Sequence, residues 1–245
     1  MRTIAIAGCL IGTLVGACIE PTLDGHEQEI VNGLPTIGFP TVVQVFQANV
    51  VNPKPTDRSC TGVLITSSTV LTAAHCVTPG ARHVTSAFTG TATVHPQWTG
   101  GAAHDLAVVK TLDKVGRPHA RLRTTTPVGA AITLVGYGKT VYGGVQDGVK
   151  RYGYNVIDRV DANSFFYDTS LASPAPEEAA TCSGDSGGPA FLRTDETCVV
   201  GITRGQNATA ATACTAAGEE WRHTRVDVDL VWLEQVTRET LTLCP

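Results

Sequence analysis

The chain has 245 residues, of which 16% are charged, and a formal net charge of −4 at pH 7. That length holds one large all-β domain or two small ones, with enough interior for a substantial core. No acidic or basic run exceeds a Glu-Glu pair, which argues against nucleic acid as a partner.

In chain order, residues 1–17 read as an export signal. Arg2 supplies the positive start, Ile4 to Leu14 are apolar and short, and Val15-Gly16-Ala17 gives a small-residue cleavage pattern. Cleavage there leaves Cys18 first. Val15-Gly16-Ala17-Cys18 resembles a bacterial lipoprotein signal, in which that cysteine carries lipid, and the same residues suit ordinary signal cleavage. The expected product is exported, either secreted or anchored through Cys18 at a bacterial cell envelope. No later segment approaches transmembrane length.

Residues 18–29 are acidic and turn-prone, and read as a propeptide or tether. Strand-like residues follow at Thr41 to Phe46, and Cys60 to Leu71 reads as a hairpin turned at Ser67-Ser68. Further short strands are expected at 92–95, 106–110, 132–135, 151–157, 190–193, 199–203 and 224–228. This regular spacing favours an antiparallel sandwich or barrel over a βαβ fold. The last segment, from Asp227 or Asp229 to Leu243, reads as a helix. An Asp can cap it, and Leu230, Leu233, Val236 and Thr240 or Leu241 fall near helical spacing.

Of the eight cysteines, Cys9 lies in the signal and Cys18 directly follows it. Six remain: Cys60, Cys76, Cys182, Cys198, Cys214 and Cys244. They lack CxxC spacing and adjacent His pairs, so disulfides in an oxidising compartment fit better than zinc. Asn207-Ala208-Thr209 matches a glycosylation sequon and, beside a bacterial type of signal, is read as chance.

The most informative stretch is Cys182-Ser183-Gly184-Asp185-Ser186-Gly187-Gly188-Pro189. Its glycines allow a sharp turn, and a serine presented on such a turn suits a nucleophile beside an oxyanion hole. Taken alone it is an ordinary Gly-rich turn. Thr72-Ala73-Ala74-His75-Cys76 and His104-Asp105-Leu106-Ala107-Val108-Val109 precede it. An imidazole can take and return a proton at neutral pH, and an Asp opening a buried apolar run needs a partner.

These three motifs, in this order, resemble those of the trypsin- and chymotrypsin-like serine proteases over roughly 30–243. The resemblance implies an all-β fold. It would comprise two antiparallel six-stranded β-barrels, about 30–125 and 126–228, and a C-terminal helix at about 229–243. It implies Ser186 as nucleophile, His75 as base, Asp105 as its orienting acid, and Gly184 and Ser186 as oxyanion donors. It pairs Cys60 with Cys76 and Cys182 with Cys214, and leaves Cys198 with Cys244 by elimination. Leu134 to Thr140 resembles a family segment beside the activation region.

Ile30-Val31-Asn32-Gly33 resembles the mature N-terminus, whose new amine would pair with Asp185. Glu29 rather than Arg or Lys precedes Ile30, so a Glu-preferring activating protease is expected. No carboxylate stands between His75 and Asp105, so neither calcium nor any other cofactor is expected. The resemblance places Ala180 and Thr181 at the floor of the specificity pocket, Thr203 and Gly205 on the substrate strand, and Glu220 or Trp221 on the far wall. Trp221 inward favours small or medium apolar residues, whereas Glu220 inward admits basic ones.

The expected function is a monomeric endopeptidase acting on polypeptides. A catalytically silent homologue used as a binding module and an esterase-type hydrolase are its rivals.

Overall fold

The computed structural model describes residues 30–141, 143–169, 175–206, 214 and 220–245. The signal-like residues, Cys18, the tether to Glu29 and the Asn207 sequon lie outside them. Among the described residues no helix is long and apolar enough to cross a membrane.

After a two-residue strand β1 (Leu34–Pro35), the first half holds β2 (Val42–Phe46), β3 (Ser59–Thr66), β4 (Thr69–Thr72), β5 (Arg82–Val84), β6 (Thr89–Val94) and β7 (Ala107–Lys110). These six form an antiparallel sheet in the order β2-β3-β4-β7-β6-β5. A bridge from Val45 to Thr85 brings its two edges together, closing a barrel.

The second half contributes β8 (Arg121–Arg123), β9 (Ala131–Gly136), β10 (Arg151–Val156), β11 (Arg159–Val160), β12 (Ser164–Tyr167), β13 (Pro189–Leu192), β14 (Asp195–Gln206), β15 (Trp221–Arg225) and, after the helix, β16 (Leu243–Cys244). The antiparallel path runs β1-β10-β9-β13-β14-β15-β12-β11. Because β10 runs through Ile157 and Asp158 directly into β11, the path from β9 round to β11 returns upon itself.

The apolar runs of the first half do not alternate with polar residues, and the packing explains why. Val43, Val45, Leu64, Val70 and Val109 point into the first barrel. Their neighbours Val42, Val63, Ile65, Leu71 and Val108 point out to a shared core with Val135, Phe191, Val199 and Leu233. Successive strand side chains face opposite ways, and here both faces are buried. A third cluster, including Ile132, Leu134, Phe165, Tyr167, Val200 and Trp221, fills the second barrel.

The expected strand at 224–228 lies earlier, at Trp221–Arg225, and the helix is shorter than its periodicity suggests. Helix α1 spans Leu230–Thr237, and Arg238 in left-handed conformation stops it with its N–H on Glu234 O. The chain then turns so that the Glu239 carboxylate accepts from the Thr66 and Ser68 hydroxyls. Leu241 is buried separately, and β16 pairs in parallel with β8. Disulfides join Cys60–Cys76, Cys182–Cys214 and Cys198–Cys244, as expected.

Candidate active site

Strand register brings the first two residues together. Thr72 of β4 pairs with Ala107 of β7. His75, in the 3-10 turn Ala74–Cys76, and Asp105, just ahead of β7, therefore emerge at the same edge. Asp105 is buried, and its Oδ1 accepts the His75 backbone N–H at 3.0 Å while Oδ2 lies 2.8 Å from His75 Nδ1. Nδ1–H donating to this carboxylate leaves Nε2 as the acceptor nitrogen. The imidazole is about one-third exposed, and the Cys60–Cys76 disulfide ties its turn back to β3.

The serine loop is held from both halves of the fold. Thr61 of β3 donates its N–H to Ser186 O at 2.9 Å and its hydroxyl to Gly184 O at 2.9 Å. On the other side Gly187 N–H reaches Thr203 O, and Thr203 N–H reaches Gly188 O. Within the loop Asp185 and Gly188 also donate backbone bonds. The N–H groups of Gly184 and Ser186 donate to no other group among the described residues. Ser186, Gly184, His75 and the Cys60–Cys76 bridge line one open cleft of about 590 Å³.

Gly184 has φ +103°, and a Cβ there would lie 2.4 Å from Gln146 Nε2 and 2.9 Å from Gly138 Cα. The turn thus requires glycine. Gln146 escapes sequence reading because no motif surrounds it. Buried, it donates to Tyr137 O and Ser59 O and accepts the Ser59 N–H.

Asp185 is fully buried. Its Oδ1 accepts Gly138 N–H and its Oδ2 accepts Cys182 N–H, both at 2.8 Å. The Ile30 backbone N–H also donates to this carboxylate. Burial pushes the Asp185 carboxyl up to about 7, against these hydrogen bonds and the Arg151 charge. Ile30 is itself buried, and Val31 bridges to Ala180. The intact chain therefore already seats Ile30 beside Asp185, through an amide rather than an amine.

At the expected pocket, Trp221 is completely buried and its Nε1–H donates to Thr181 O at 2.9 Å. Its ring stacks on Tyr167, and Ala180 is fully buried in the same cluster. Glu220 points elsewhere, forming a bidentate ion pair with Arg159. That arrangement sets aside the reading in which Glu220 lines the pocket. Thr203 is buried with its hydroxyl 2.9 Å from His223 Nε2, and Gly205 has φ +128° with open space where a Cβ would stand. Burial lowers the His223 imidazole to about 3, which keeps it neutral. Arg204, between them, brings Nε to 3.6 Å from Asp105 Oδ2, a contact that no sequence motif signals.

A second histidine cluster stands behind Asp105. His104 Nδ1 lies 2.8 Å and His95 Nε2 3.4 Å from Asp229 Oδ1. Asp229 stands at the N-cap position of α1 but makes no capping side-chain bond, its carboxylate having turned to the histidines. The two rings stack with centroids 4.6 Å apart and planes 8° apart. A metal ion must lie close to the plane of each imidazole that binds it, and no point satisfies two stacked planes. The cluster is therefore a hydrogen-bonded one. The cysteines near His75 are bound in their disulfide and offer no thiolate.

A two-barrel fold with a His–Asp pair and a serine turn in one interbarrel cleft defines a class of protein that comparison makes specific. Residues 38–218 match the family model described as Trypsin. The chain belongs to the trypsin family of serine proteases. It is similar to the serine protease SP24D of Anopheles gambiae, at 28% identity over an alignment of 178 residues that covers 63% of this chain and 63% of the other. The match thus spans under two thirds of that relative's length. The fold is also similar to that of neuropsin, a serine protease expressed in the limbic system of mouse brain. That similarity has a TM-score of 0.67 and 18% identity, covering 84% of this chain and 99% of the other.

Proposed function

We propose that the chain is a serine endopeptidase. The observation that carries this reading is that the His75–Asp105 pair, Ser186 and the undonated N–H groups of Gly184 and Ser186 belong to one cleft. The Ser186 hydroxyl attacks the peptide carbonyl carbon and passes its proton to His75 Nε2. Asp105 holds the ring and stabilises the imidazolium. The oxyanion is met by the two N–H groups. The carbon–nitrogen bond breaks as His75 returns the proton to the leaving amine, and a water molecule, deprotonated by the same imidazole, releases the acyl group.

With Trp221 occupying the space beside Ala180 and Thr181, the acyl-side residue is small or medium and apolar. Cleavage after Glu29 by a Glu-preferring protease frees the Ile30 amine, which replaces the amide at Asp185 and fixes the serine loop. The precursor is exported, by secretion or through lipid on Cys18, and the enzyme works as a monomer. The bacterial character of the signal rests on residues 15–18 alone, and the SP24D protease to which the chain is similar is an insect protein.

The test is hydrolysis of a peptide library by the chain begun at Ile30, beside the full chain and Ser186→Ala. Ser186-dependent cleavage after small apolar residues, stronger in the processed form, is expected. Hydrolysis that persists in Ser186→Ala, or dominant cleavage after Lys or Arg, contradicts the reading.

A further inference from the structure

The large cleft at Ser186 lies on one side of it only. Its lining includes His75, Ser186, Gly184 and the Cys60–Cys76 bridge, but nothing from β14 or β15 and neither Ala180 nor Thr181. If the acyl half of a substrate lies along β14, this cleft receives the half that departs. At about 590 Å³ it falls within the roughly 300–1,000 Å³ typical of ligand sites. On the acyl side the fully buried Trp221 ring packs in one cluster with Ala180 and donates its N–H to Thr181 O. Selection by a deep acyl-side pocket is thereby reduced, and the leaving-group side is where the enzyme keeps room for side chains.

The charge of that room is one-sided. Arg58, exposed, and Lys139, half-buried, both line it, and among the described residues no Asp or Glu does. Neither cation is ion-paired among the described residues, although other arginines do pair with carboxylates there, such as Arg151 with Asp147 and Arg159 with Glu220. Asp57, next to Arg58 in sequence, is turned away to cap the Lys54 N–H. Gln47, Thr56 and Gln146, which also line it, carry no charge. Two unpaired cations in a cleft of a chain whose net charge is −4 form a local field of the opposite sign.

We propose that this cleft selects substrates bearing acidic side chains in the first few positions after the scissile bond, with Arg58 and Lys139 as the specificity-determining residues. The proposal rests on the peptidase reading of Ser186 and names a substrate class for it. Electrostatic complementarity at partly exposed positions acts chiefly on specificity and encounter, and weakens with salt.

The experiment uses quenched fluorescent peptides with one small apolar acyl half and leaving halves rich in Asp/Glu, Ala or Lys. A fluorophosphonate, which carries no leaving-side peptide, labels the same preparations. At low salt the acidic series should exceed the Ala series in kcat/KM by about tenfold, and the Lys series should fall below it. Arg58→Glu with Lys139→Glu should reverse the order while Ser186 still takes the fluorophosphonate label, and raised salt should compress it. Normal labelling with equal rates across the three series, or an acidic preference that survives charge reversal, overturns the proposal alone. Absence of labelling in the unaltered chain overturns the peptidase reading and this proposal with it.

Discussion

The indole N–H of Trp221 donates to the Thr181 carbonyl over 2.9 Å, so the ring is fixed by a directed bond as well as by its stacking on Tyr167. In the proposed reading, Trp221 fills the acyl-side pocket and bonds its floor, and so decides what else can enter. Trp221→Ala should open the pocket and raise cleavage after Phe, Tyr or Leu relative to Ala by about tenfold or more. It should also cost about 3–5 kcal/mol of stability, as other large-to-small changes in a core do. Urea unfolding and a cleavage profile on the same sample check both. An unchanged preference in a folded variant would mean the ring does not border the substrate.

Gly184 makes a separate prediction. Gly184→Ala forces a Cβ to 2.4 Å from Gln146 Nε2 at a φ that side chains rarely adopt. The loop must move, and with it the N–H groups meant for the oxyanion. We expect kcat to fall about 10²-fold with KM little changed, since the lost interaction is made in the transition state. Steady-state kinetics measures the split.

Asp185 and His223 both sit in dry surroundings, with opposite consequences for pH. The Asp185 carboxyl, raised from 3.8 to about 7, binds more protons in the fold than in the unfolded chain between those values. Its contribution to stability is complete below pH 3.8 and is lost as pH rises through about 7. His223, lowered from 6.5 to about 3, does the reverse. Its contribution is present above pH 6.5 and is lost as pH falls toward 3. The windows overlap, so single variants are needed to separate them. The stability of Asp185→Asn relative to the parent should rise from pH 4 to 7, and that of His223→Phe should rise as pH falls. Denaturant titrations at several pH values test both slopes. In a chain begun at Ile30, an ammonium facing Asp185 should abolish the Asp185 slope and make Asp185→Asn destabilising at pH 8.

Much of the site was legible because its chemistry is local in the chain. Each of His75, Asp105 and Ser186 sits in a short motif, and the glycines around Ser186 reflect close approach of Thr61, Thr72 and Gly138. What escaped is decided by partners distant in sequence. The helix stops at Arg238 because Glu239 is held by Thr66 and Ser68, not because the apolar spacing ends. Asp229 has the identity of a cap but serves two histidines more than a hundred residues away. Glu220 and Trp221 were distinguishable only once β15 had a register against β14 and β12.

The central claim is that His75 and Asp105 activate Ser186 for covalent chemistry. It is tested most directly by intact-mass and peptide mapping after fluorophosphonate treatment of the processed chain. A single adduct on Ser186 is predicted, lost in Ser186→Ala and slowed about 10³-fold or more in His75→Ala. An adduct on another residue, or labelling of Ser186 at an undiminished rate without His75, would contradict it.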